Sequence, residues 1–325
     1  MRDYRIDLLR ILAILAVLGI HCFGGKGNAA DYVNGFCRFS VPVFVMISAI
    51  CCAPKLVSTT TMVEFYKPRF VRVGAPLLMF SVCYAVWDLI AGCEWSYVAK
   101  NFVIGKPSYH LWFGFMILGV YVFMPFCAQL VSQIKHGLLA LVSCFVILMT
   151  WHVGYGLFSI LPFVAYALLA FLLRHRLYGL SNQKKSVRVI IGILFLFSYI
   201  ICSIIAGSIG EHRAWTYTSI YSLIGSVSVL VVIFALLPQT ANNRFCRVIE
   251  TLSSFTLGVY LFHVIAIRGI LRLIPRLGDS DIFMAMMLWA GVTISSFAVT
   301  FVAAKLPLAR DMFGITVKSQ IKECK

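Results

Sequence analysis

The chain has 325 residues, of which 61% are hydrophobic and 12% charged, with a mean hydropathy of +0.93 and a net charge of +16. That composition excludes an ordinary soluble domain and points to an integral membrane protein. The positive balance does not signal nucleic acid, because the cations are spread over helix-flanking segments instead of forming one patch.

In chain order, apolar runs close to the length needed to cross a bilayer predict spans at 8–23, 38–53, 72–92, 110–130, 138–152, 157–173, 187–207, 217–237, 254–274 and 282–303. The expected fold is therefore all-α, a polytopic membrane protein of about ten transmembrane helices forming a single domain over 1–325. The longest loops are expected near 24–37, 54–71, 93–109 and 174–187. With the N-terminus inside, nineteen of the 28 lysines and arginines fall on cytoplasmic segments and eight on the opposite side, which leaves Arg10 inside the first helix. Cytoplasmic loops carry such an excess, so both termini are expected in the cytoplasm. No repeat, low-complexity tract or soluble insertion interrupts the pattern, and any chemistry must belong to the helix bundle and its loops.

The first span holds the most informative pair. Arg10 and His21 are eleven residues apart, three helical turns with roughly 20° to spare, so both side chains point the same way about 16 Å apart. Titratable groups inside a bilayer are costly and usually face a protein interior or a wet cavity. A cleavable signal peptide is the competing reading of this segment, but cleavage would discard the pair, and an arginine and a histidine are unusual in an apolar signal core. Eleven cysteines are present. Most, such as Cys127, Cys144 and Cys202, lie in predicted spans where cysteine behaves as a small apolar residue, and no metal-ligand spacing emerges from them. Cys22 and Cys37 both fall near the outer face, where a disulfide could form.

Several blocks support a family comparison. Ile6-Asp7-Leu8-Leu9-Arg10-Ile11-Leu12-Ala13 leading to His21 resembles the first helix of the acyltransferase family 3 membrane proteins, whose members include O-antigen O-acetyltransferases and whose signature there is an arginine, ten residues, then a histidine. The run from Arg38 through Pro42, Phe44 and Ser48 to Ala49 is similar to the family's second-helix block, with Ala49 where a glycine is usual. Arg69-Phe70-Val71-Arg72 followed by Pro76 is similar to the family's arginine, two residues, arginine motif. His110-Leu111-Trp112-Phe113 with Tyr121 and Pro125, Pro162 to Phe171 with Ala170 at another usual glycine, and Tyr260-Leu261-Phe262-His263 resemble later blocks in the right order.

The resemblance implies a membrane-bound O-acyltransferase of the bacterial plasma membrane. Such an enzyme moves an acyl group, usually acetyl from acetyl-CoA, to a hydroxyl of a sugar, a lipid-linked sugar or another envelope molecule. Acyl-CoA would be a co-substrate, with no bound cofactor or metal. Its phosphates need cations at the inner face, where Lys67, Arg69 and Arg72 are expected, although ordinary positive-inside anchors look the same. His21 suits a general base, with direct attack preferred over an acyl-histidine intermediate. Arg10 is expected to hold the thioester end of the cofactor or to pair with Asp7. Weaker candidates for acceptor binding or support are Arg38, Ser48, His110, Trp112, Tyr260 and His263, with Trp87, Asp88 and Glu94 near the outer end of the third span. His110 and Trp112 also fit an interfacial aromatic belt, and Tyr260 with His263 fits a packed polar pair between helices. His136, His152, His175 and His212 read as solvated. The rival reading is a transporter or flippase for an envelope polysaccharide precursor; paired broken helices around a midplane site would mark it.

Overall fold

The computed structural model describes residues 3–58, 61–149, 160–209, 216–240 and 244–315, and among these there are helices and no strands. In chain order they are α1 Tyr4–Phe23, α2 Asn28–Cys37, α3 Ser40–Ser58, α4 Met62–Arg69, α5 Ala75–Ile90, α6 Trp95–Val103, α7 Trp112–Gln133, α8 His136–Met149, α9 Leu161–Gly179, α10 Lys185–Ile209, α11 Ile220–Leu236, α12 Arg244–Ser254, α13 Thr256–Leu273, α14 Ile282–Ala303 and α15 Pro307–Met312. Eight stretches among the described residues are long and apolar enough to cross a membrane. The shorter apolar helices α8 and α11 lie in the two remaining predicted spans, so each of the ten runs contains a helix among its described residues. His152 and His212 lie outside the described residues.

Helix α1 is the axis of the bundle: 72% of its apolar window is buried, against 17% for α10, which turns most of its surface outward. Around α1 pack α2, α3, α12, α13 and α14. Asp3 caps its start, its carboxylate accepting from the Arg5 backbone N–H at 3.0 Å and from the Arg5 guanidinium at 2.9 Å. The wholly buried Arg5 is sandwiched by Tyr178 and Phe234, its guanidinium carbon 5.0 and 4.3 Å from their ring centres.

Three predicted loops contain helices. Residues 28–37, 62–69 and 95–103 form α2, α4 and α6; α2 runs with α3, and α4 with α5, in the apolar stretches Asn28–Pro54 and Met62–Ile90. Helix α2 lies directly on α10: a Cβ added at Gly35 would stand 2.7 Å from the Ser203 carbonyl oxygen, and one at Gly207 would stand 2.7 Å from the Tyr32 Cα. Such contact between small residues is how helices associate where no hydrophobic effect separates protein from lipid. Between α4 and α5 the chain makes one π-helical turn, Phe70–Gly74, without leaving the helical path.

Both described ends of the chain lie at one end of the bundle. The Tyr4 N–H donates to the Gln239 carbonyl at 2.9 Å, and the backbone at Gly314 (φ 61°) approaches the Arg72 carbonyl too closely for a side chain. At the opposite end Lys26 reaches the Asp279 carbonyl at 3.1 Å. Cys22 and Cys37 both remain thiols.

Candidate active site

A cavity of about 380 Å3 runs along α1 and joins Arg10 to His21. Helical spacing builds its walls. From α1 come Arg10, Val17 and His21; from α3 come Val41, Phe44, Ser48 and Cys51; from α7 come Gly114, Ile117 and Tyr121. These residues repeat at three, four or seven positions, the period that keeps side chains on one helix face, and their neighbours Ile20, Cys52, Trp112 and Phe113 widen each stripe. The junction of α4 and α5 adds Arg69 and Arg72, and the break between α12 and α13 adds Ser253, Ser254 and Thr256.

The Arg10 end is cationic and held in place. Arg10 Nη1 lies 3.5 Å from Asp7 Oδ1, and the Ser253 hydroxyl donates to that same oxygen at 2.7 Å. Asp7 is only 3% exposed, so the carboxylate fixes the guanidinium from behind while Arg10 faces the cavity. The other arm of Arg10 meets Cys51 Sγ at 3.6 Å. Arg69 donates to Cys52 Sγ at 3.3 Å and to the Phe65 carbonyl, with its guanidinium 3.7 Å over the Phe65 ring. Arg72 sits on the π-helical turn and is exposed at the cavity mouth. Turns of this kind recur where a helix must re-aim side chains at a site.

The His21 end is an imidazole and tyrosine cluster. His21 stacks on His263 with ring centres 5.2 Å apart and planes at 29°, and His263 meets His110 edge to face at 4.8 Å. His263 Nδ1 lies 2.6 Å from the Tyr260 carbonyl oxygen; a carbonyl only accepts, so this nitrogen carries the hydrogen and Nε2 is a bare acceptor. That Nε2 and both ring nitrogens of His110 are buried and meet no hydrogen-bond partner among the described residues. The Tyr260 hydroxyl donates to the His110 carbonyl at 2.7 Å and accepts from the Gly114 N–H at 3.2 Å. The Tyr84 hydroxyl donates to the Leu261 carbonyl at 3.0 Å. These bonds clamp the start of α7 and the body of α5 to α13, so His110 in the turn before α7 is fixed against His263 of α13.

A family profile described as an acyltransferase domain matches residues 3–305, nearly the whole chain. The chain belongs to this acyltransferase family. No curated protein and no solved structure matches it. With eight stretches among the described residues apolar enough to span a bilayer, it is a membrane acyltransferase.

Of the residues singled out in the sequence, the acyltransferase gathers Arg10, His21, Ser48, Arg69, Arg72, His110, Trp112 and Tyr260 on one cavity wall. Asp7 and His263 stand directly behind it. Lys67 is exposed and takes no part in the wall. Arg38 is half-buried outside it, donating to Asn34 Oδ1 at 2.7 Å with its guanidinium 5.8 Å from the centre of the cavity-lining Tyr217 ring. The interfacial-belt reading of His110 and Trp112 fails: His110 is 2% exposed, and Trp112 packs against Phe163 and Tyr217 at 5.8 and 5.9 Å. His136 and His175 are exposed, as expected. Glu94 is exposed at the start of α6. Sequence reasoning missed Tyr84, Tyr109, Cys51, Cys52, Ser253 and Arg268; tyrosines and serines in apolar runs carry no charge signal, and their role comes from cross-helix partners.

Proposed function

We propose that the protein is a membrane O-acyltransferase that takes an acyl group, acetyl in the first instance, from cytosolic acyl-CoA and transfers it to a hydroxyl of a cell-envelope sugar. The observation supporting this reading is the single cavity with guanidinium groups at one end and an imidazole at the other. The Arg10 end faces the cytoplasm, where Arg69 and Arg72 bind the phosphates of the donor and its pantetheine arm extends toward His21. His21 takes the proton of the acceptor hydroxyl as its oxygen attacks the thioester carbonyl. A C–O bond forms, the C–S bond breaks, and the proton passes to the departing CoA sulfur. Arg10, fixed by Asp7, steadies the donor between the two ends.

Purified protein in nanodiscs, given radiolabelled acetyl-CoA and an extract of envelope carbohydrate, should release thiol and label the carbohydrate. His21→Ala should lower transfer by about 100-fold or more, the usual contribution of a general base, while remaining inserted and folded. Label transfer by His21→Ala at the wild-type rate would remove this histidine from the reaction.

A further inference from the structure

Beyond the donor cavity, the His21 end carries a group of residues that the reaction as described does not use. Tyr109 lies in the turn before α7. Its ring meets His21 at 5.2 Å and His110 at 5.7 Å, yet it contributes nothing to the cavity wall and is 55% exposed. Tyr109 therefore separates the imidazoles from the surroundings on the side away from the donor. Beside it, Arg268 of α13 and Asp88 of α5 form an ion pair at 2.7 Å, with side chains 29% and 19% exposed. Arg268 also lies 5.7 Å from the centre of the Tyr84 ring, and Tyr84 meets His110 at 5.0 Å. Arg272, one turn further along α13, covers Trp87 at 4.7 Å.

We infer that Tyr109 and the Arg268–Asp88 pair form the acceptor subsite, and that the ligand is a pyranose sugar ring that lies on Tyr109 and presents one hydroxyl to His21. This rests on the acyltransferase reading above and names the surface from which the acceptor enters. A pyranose has a C–H face that packs on an aromatic ring and a rim of hydroxyls that both donate and accept. An exposed tyrosine supplies the first contact. A carboxylate and a guanidinium side by side supply an acceptor and a fork of donors without net charge, which suits a neutral polyhydroxyl ligand over an anion or a simple alkyl alcohol. The same ring keeps water from His21 when no sugar is present, so that the thioester is not spent on hydrolysis.

The test uses the full chain in nanodiscs with acetyl-CoA, measuring thiol release with and without methyl glycosides of the common hexoses as probes. Wild type should release little thiol alone and more with at least one glycoside. Tyr109→Ala should lose about tenfold or more in glycoside-dependent rate, chiefly through the glycoside KM, while release without glycoside rises several-fold and the acetyl-CoA KM stays within about twofold. Tyr109→Trp should restore glycoside dependence, and Arg268→Gln should raise the glycoside KM without raising hydrolysis. The acceptor-free release by Tyr109→Ala shows at once that the variant is folded. Unchanged glycoside use in Tyr109→Ala, or a wild type stimulated by alkyl alcohols but by no glycoside, overturns the subsite. Absence of any thiol release from acetyl-CoA by wild type, with or without acceptor, overturns instead the donor reading on which the subsite rests.

Discussion

At the scale of single residues, the site depends on groups that hold other groups. Asp7 is the clearest, since one buried carboxylate oxygen receives both the Ser253 hydroxyl and the Arg10 guanidinium. Asp7→Asn keeps the shape but removes the charge that fixes Arg10. The expected result is a rise of about three- to tenfold in the acyl-CoA KM with kcat nearly unchanged, because an interaction that steadies bound donor is lost equally from ground and transition states. Steady-state kinetics against acyl-CoA checks this, and a fall in kcat at constant KM would place Asp7 in the chemical step. Arg10 and His21 were legible in the sequence because charge inside an apolar run is conspicuous. The bare nitrogens of His110 and His263 were not, because nothing local records that α1 and the turn before α7 bring their rings to 5.2 and 4.8 Å from His263 on α13.

At the scale of helices, the ten apolar runs were legible and the connections were not. A hydropathy window of bilayer length registers α1 and α10 readily, but α2, α4 and α6 mix charged and apolar residues over 8 to 10 positions and read as loops. Their value lies in position: α4 with its π-helical exit carries Arg69 and Arg72 to the cavity mouth, and α6 leads into the turn that bears Tyr109. The α2–α10 contact is a test of helix packing. Gly35→Ala would force a methyl group against the Ser203 carbonyl and the Gly207 backbone, neither of which is a flexible side-chain end. Overpacking of this kind costs about 1–3 kcal/mol. A lower thermal midpoint in detergent is expected for Gly35→Ala, whereas Gly137→Ala, whose new Cβ meets nothing within 4 Å, should leave the midpoint in place or raise it slightly.

At the scale of the whole molecule, the arrangement is directional: guanidinium groups gather at the end holding both described chain ends, and imidazoles gather toward the other. The lysine and arginine bias along the sequence predicts that the first end faces the cytoplasm. Cys93, exposed between α5 and α6 at the His21 end, makes that assignment measurable. A membrane-impermeant maleimide added to intact cells should modify Cys93, as read by peptide mass spectrometry. Modification only after the cells are opened would invert the orientation and with it the side from which the donor enters. The cavity wall also has a chemical consequence. Two sulfurs, Cys51 and Cys52, stand on it beside Arg10 and Arg69. If acyl-CoA fills the passage as proposed, it covers them, so oxidants and alkylating agents find these atoms most open in donor-free protein, and damage there would accumulate in idle molecules more than in working ones.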